Sequence, residues 1–321
     1  MIGNEKLGAF IVPTGIGACT GGFAGDASAA AREFSKYSKL IVNPNVVNAG
    51  CFSGINQNML YVEGYSLNSF FKGEINLKPS CGNKIGVVFD RAIPQDVLNV
   101  HINVINAVKT VYGVNITGYE VTDECVRVKF GINENGISSG SVGNAETLLR
   151  ASKRFKDADA VALVCFFDNP EEDNPNYSAG IGVDPVGGVE AVISHYISKE
   201  LKIPCAHSPA FADCQISTRI VNPKSAAEYI TPSFLPCVLL GLEHAPALTT
   251  EEGISINNLD YLVMPYDALG STPVYEAVKR GIKVFAVREN TSVLNVTASA
   301  LGLSGKITEA VSYKALATSF R

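Results

Sequence analysis

The chain has 321 residues, 46% of them hydrophobic and 18% charged, with a net charge of −5. That length supports a large core in one or two domains. The acidic balance, the lack of a Lys/Arg cluster and the lack of Trp exclude a typical nucleic-acid binder. The longest apolar runs, near 160–167 and 234–242, are too short to span a bilayer, so no membrane partner is expected.

Strand and helix signals alternate along the chain. An apolar run, Leu7 to Val12, leads into the glycine-rich stretch Pro13 to Asp26, and good helix formers follow from Ala27 to Phe34. That order opens a βαβ unit. Leu40 to Val42 reads as a second strand, then an amide-rich loop runs to Gly50. Met59 to Glu63 is a strand and Tyr65 to Phe71 a helix. Ile85 to Phe89 is a buried strand, followed by a helix from Pro94 to Tyr112 with apolar residues at helical spacing. Val114 to Val121 and Val126 to Phe130 read as strands, 132–143 as a mobile loop, and Asn144 to Phe155 as a helix. Asp159 to Phe167 is the strongest strand. A long polar loop, 168–182, precedes a helix over 185–201 and a short strand, Ile203 to Cys205. Phe234 to Leu242, Leu259 to Met264 and Ile282 to Val287 read as strands, Thr272 to Arg280 as a helix, and Lys306 to Ser319 as a closing helix.

This alternation predicts an α/β protein with mostly parallel sheets flanked by helices, Rossmann-like, in two lobes, 1–135 and 136–321. A single domain is the alternative. The eight cysteines are scattered with no C-x-x-C pair, which fits a reducing cytoplasm. Ile16-Gly17-Ala18-Cys19 looks like a lipoprotein cleavage box. However, Glu5 and Lys6 leave the leader without net side-chain charge, and Pro13 and glycines interrupt its apolar run. Cleavage there would also delete the first strand, so a cytoplasmic location is expected.

In open parallel sheets, ligands sit beyond the carboxyl ends of the strands. The first candidate site is therefore the glycine turn, with Thr14, Gly15, Gly17, Thr20, Gly21 and Gly22 as one wall of a small-anion site, joined by Asn45 and Asn48. A second is the helix start at Asp184, Gly187 and Gly188, where Glu190 and His195 suit general acid–base work. Cys205 and His207 form a third: a thiolate–imidazole pair, or with His195 a divalent-metal site completed by Asp184 or Asp213. Ser271 with Arg288, Glu289 and Asn290 resembles a second anion cradle. The plain alternative at each place is a capped helix, a tight turn or a packing residue.

The turn lacks the usual dinucleotide spacing and has no acid after the second strand, so NAD is not expected. No Walker-type loop or G-x-S-x-G elbow is present.

The stretches Pro13 to Asp26, Leu60-Tyr61-Val62-Glu63-Gly64-Tyr65, Gly182 to His195 and Pro204 to Pro209, with Glu289-Asn290-Thr291 and Asn295-Val296-Thr297, resemble a bacterial and cyanobacterial family catalogued only as a domain of unknown function. The resemblance covers nearly the whole chain. It implies a soluble α/β protein and carries over no reaction and no catalytic residues.

The expectation is an enzyme acting on a small carboxylate- or phosphate-bearing metabolite by acid–base chemistry, whether hydrolase, lyase or isomerase. The alternative is a non-catalytic small-molecule binder or sensor. A small-molecule anion is the expected partner, and self-association is left open. Convergence of Glu190, His195, His207 and the glycine turn on one pocket favours the enzyme.

Overall fold

The computed structural model describes residues 6–80, 82–167, 176–212, 214 and 216–320. The first half of the chain runs through β1 (Leu7–Phe10), α1 (Ser28–Phe34), β2 (Lys39–Val42), α2 (Pro44–Val47), β3 (Asn48–Ala49), β4 (Phe52–Ser53), β5 (Met59–Tyr61), α3 (Gly64–Lys72), β6 (Asn76–Lys78), β7 (Ile85–Phe89), α4 (Gln95–Tyr112), β8 (Ile116–Val121), β9 (Val128–Ile132), β10 (Ser138–Val142) and α5 (Ala145–Ser152). The second half adds β11 (Ala160–Phe167), α6 (Gly187–Leu201), β12 (Cys205–Phe211), α7 (Ala226–Tyr229), α8 (Leu235–Glu243), β13 (Ala247–Thr249), β14 (Tyr261–Pro265), α9 (Thr272–Lys279), β15 (Lys283–Val287), β16 (Ile307–Ala310) and α10 (Tyr313–Thr318).

The fold is α/β, built on two parallel sheets. One has the order β16-β15-β14-β1-β2-β5 and the other β12-β11-β7-β8. β1 lies inside the six-stranded sheet, with Phe10 opposite Val42 on one side and Val263 on the other. Both faces of such a sheet are covered, so its strands are continuous apolar runs with no polar alternation. β7 and β11 are buried almost along their whole length for this reason. One core cluster extends from Phe10 and Val42 in the first sheet to Val87, Ala162 and Ala206 in the second. Each main sheet draws strands from both sides of position 135, which falls in the turn between β9 and β10.

Three local expectations change. Residues 234–242 form helix α8 rather than a strand. A short apolar run fits a buried strand or a buried helix equally, and Pro236 in the first turn favours the helix. Residues 132–143, expected as a loop, belong largely to the antiparallel β9–β10 hairpin. The tail is not one helix: β16 first adds an edge strand beside β15, and α10 follows, capped by Ser312. Most of the long polar loop after β11, residues 168–175, lies outside the described residues.

Candidate active site

A cavity of about 740 Å³ opens beyond the carboxyl ends of β1, β2 and β12. Thr14 and Gly22 to Ala24 reach it from the turn after β1, Asn45 and Asn48 from the segment after β2, and Pro209 and Phe211 from β12. The start of α6 contributes Asp184 to Val186 and Glu190, while α7 contributes Glu228 and α8 contributes Cys237 and Val238. Tyr177 and Arg219 complete the wall.

Glu190 and Ser194 are one turn apart on α6 and so share a face. Glu190 is 7% exposed, and its Oε1 has no hydrogen-bond partner. Its Oε2 lies 3.9 Å from His207 Nε2. His207 Nδ1 is 2.9 Å from Ser194 Oγ. Ser194 Oγ also lies 3.4 Å from the Glu190 carbonyl and 3.3 Å from the Ala191 carbonyl. Its shorter contact to Nδ1 orients the ring and leaves Nε2 facing Glu190.

Burial sets the charge of this pair. Desolvation lifts the Glu190 carboxyl well above its ordinary value, with Asp184 and Glu228 pushing the same way. Burial also drives His207 down to about 3, helped by His195. The two shifts favour a protonated carboxyl on Glu190 and a neutral imidazole on His207. Glu228 is raised to about 8, mainly by desolvation and then by Asp184, although it accepts hydrogen bonds from Ala24 N–H (2.7 Å) and Tyr177 O–H (2.9 Å). Asp184 is also raised by burial, against hydrogen bonds from the Val186 and Gly187 amides.

The remaining expected residues divide. Thr14, Gly22, Asn45, Asn48 and Asp184 join Glu190 and His207 at the cavity. His195 does not; it lies between α3 and α6, where a Cβ on Gly64 would stand 2.0 Å from its Nε2. Its ring is 3.9 Å from Glu63, the residue that caps α3. Cys205 is buried in β12 opposite Val161, its thiol pushed well up by desolvation, so it is not an activated nucleophile. Among the described residues no group of three His, Cys, Asp or Glu side chains is placed to hold a metal ion. Asp213, one of the two carboxylates expected to complete such a site, lies outside the described residues.

The glycine turn is bound by protein. Thr20 N–H donates to Asn290 Oδ1, and Thr20 carbonyl accepts from Asn290 Nδ2. Gly21 N–H donates to Asp26 and Gly21 carbonyl accepts from Asn45. Gly15 and Gly17 have positive φ and lie against Ser138 and Val183. At α6, which begins at Gly187 and not at 185, a Cβ on Gly187 would meet Thr14 at 2.7 Å, and one on Gly188 would meet the Ser138 carbonyl at 2.4 Å. Ser138 Oγ accepts from Gly188 N–H and donates to the Pro185 carbonyl. These glycines allow backbone to approach backbone, and of the amides expected to cradle an anion those of Thr20, Gly21 and Gly188 are taken by protein.

The second expected cradle is away from the cavity. Ser271 precedes α9. Arg288 pairs with Glu309 on the surface, Glu289 accepts from the Tyr313 amide, and Asn290 is fully buried as the clamp on the turn.

Sequence reasoning missed Glu228, Tyr177, Arg219 and Cys237. A lone acid within Ala226-Ala227-Glu228-Tyr229-Ile230 was the one available signal. The others carry no mark outside the fold.

A family model described as a protein of unknown function (DUF3326) matches residues 8–318. The chain is also similar to a protein of Synechococcus sp. named an uncharacterised lipoprotein: 36% identical over 313 residues, covering 94% of this chain and 87% of that one. No solved structure matches. The lipoprotein relative overturns the cytoplasmic location expected above. That expectation rested on unpaired cysteines and an uncharged leader, which are indirect signs of address. Among the described residues no helix is long and apolar enough to cross a membrane.

Proposed function

We propose that this chain, which belongs to the DUF3326 family of unknown function, is an enzyme that moves a proton on a small polar metabolite held in the cavity. Glu190 is the proton donor and His207 Nε2 the acceptor. The carrying observation is the buried Glu190 carboxyl, with Oε1 unpartnered and Oε2 3.9 Å from a neutral imidazole that Ser194 orients. A gap of 3.9 Å is too long for a direct hydrogen bond and suits a substrate group or one water between the two. Burial supports the chemistry because desolvation favours the protonated form of the Glu190 carboxyl. A volume of about 740 Å³ is in the range of metabolite sites.

The anionic half of the sequence expectation draws no support from the Thr20 and Gly21 amides, which are engaged by Asn290 and Asp26. Proton transfer of this type serves a lyase, an isomerase or a hydrolase. The test is a substrate screen of the native protein beside Glu190→Gln and His207→Gln. Loss of turnover by roughly 10²–10⁴ in each variant, with native melting behaviour, supports the assignment. Ligand binding without turnover in the native protein moves the reading to a binder. The likeness to a lipoprotein supports a location in the cell envelope, which fractionation of the producing cells tests.

A further inference from the structure

We infer that the molecule held in the acidic cavity carries a protonated amine. The inference rests on the cavity being a small-molecule site and names the class of its ligand. Asp184 and Glu190 from the start of α6 and Glu228 from α7 line one cavity. Among the described residues, none of the three is ion-paired with a lysine or arginine. Arg219 brings one positive group to a wall that holds three carboxyls.

Glu190 is the decisive member. It is 7% exposed, lines the cavity, and leaves Oε1 with no donor. A buried carboxyl without a donor is costly in the empty protein, and a ligand that supplies the donor removes that cost. An ammonium brings up to three N–H donors, and its positive charge draws off the proton that burial otherwise favours on these carboxyls. A carboxylate or phosphate brings acceptors, and its charge would oppose that ionisation.

The aromatic wall points the same way. Phe23 and Tyr177 both line the cavity, with ring centroids 4.7 Å apart. Ring faces attract cations, and the Phe23 ring already stands 5.9 Å from the Lys224 ammonium. The Tyr177 hydroxyl donates to Glu228, which leaves that ring edge fixed beside the acid.

The test is titration calorimetry on the full chain at pH 7.5 with 1,4-diaminobutane and glucosamine. 1,4-Butanediol and glucose serve as neutral counterparts, and succinate and inorganic phosphate as anions. The expected result is that at least one amine binds tenfold or more tighter than its neutral counterpart. Glu190→Gln and Glu228→Gln, each folded by circular dichroism, should each weaken it at least tenfold. Should one variant fail to fold, the other carries the comparison. The inference is overturned if no amine binds, if a neutral counterpart or an anion binds as tightly, or if both variants bind the amine like the native protein. Succinate binding that Glu190→Gln abolishes overturns the amine and leaves the acid–base reading standing. Amine binding without turnover of any amine does the reverse.

Discussion

His207 is held from both ends by one turn of α6: Ser194 Oγ lies 2.9 Å from Nδ1, and Glu190 Oε2 lies 3.9 Å from Nε2. The first contact orients the ring and the second leaves room for a reacting group. Ser194→Ala therefore keeps both proton-carrying residues and frees the ring to rotate. The expected outcome is a fall in kcat of about ten- to a hundredfold, smaller than for His207→Gln. Steady-state kinetics on the substrate found by screening, with the melting temperature as control, measures it.

The buried carboxyls make stability depend on pH. Glu228 is raised in the folded state to about 8, and Glu190 moves in the same direction. An acid with a raised folded value binds more protons when folded than when unfolded. Stability is then complete below the ordinary carboxylate range and falls as pH rises toward the folded value. Between pH 5 and 8 the native protein should lose thermal stability, and Glu228→Gln should flatten the fall. The gain at pH 8 should be about 2–6 °C, the equivalent of roughly 1–2 kcal/mol in a chain of this size. Calorimetric scans across that range decide it; an unchanged slope in the variant removes Glu228 as a source.

The junction of turn, hairpin and helix should be sensitive to single methyl groups. Ser138→Ala leaves the Gly188 amide and the Pro185 carbonyl without their partner, at a cost of about 1–3 kcal/mol. Gly188→Ala should be worse, because its Cβ would stand 2.4 Å from the Ser138 carbonyl and one of the two backbones must move. Urea unfolding midpoints should rank native above Ser138→Ala above Gly188→Ala.

Much of the architecture was legible because periodicity survives in single sequences. β1, β2, β7, β11, α4 and α6 are all near where apolar spacing and glycine or proline punctuation put them. Residues 234–242 were not legible, since a run of nine largely apolar residues has no period to read. At the site, Glu190 and His207 were found because each follows a strong local signal, a glycine-rich helix start and a strand end. Glu228 was not, because α7 is four residues long and its carboxyl matters only through Ala24 and Tyr177 from distant segments. His195 and Arg288 looked equally chemical in sequence. The fold turns one toward α3 and the other toward Glu309.

Arg288→Ala provides the matching negative control. Its guanidinium lies on the surface with Glu309, and exposed pairs contribute little. The variant should bind and turn over ligand like the native protein. A weakened dissociation constant would return Arg288 to the site.

Cysteine reactivity should follow burial and not the C-x-H spacing. Cys205 is buried and desolvated in β12, with its thiol pushed well above the ordinary range. Cys237 lines the cavity, yet it is buried, its thiol donates to the Phe234 carbonyl, and desolvation lifts it to about 12. Alkylation needs the thiolate, so both should be inert at pH 8 in the folded protein even though one borders a cavity. Cys19 is exposed, with Sγ 3.2 Å from Thr291 Oγ1. Iodoacetamide at pH 8, followed by peptide mass spectrometry, should label Cys19 well before Cys205 or Cys237, and all three alike once urea has unfolded the chain. Rapid labelling of Cys205 in the native protein would revive the thiolate–imidazole pair that its burial argues against. Rapid labelling of Cys237 alone would instead add a nucleophile to the wall that already holds Glu190 and His207.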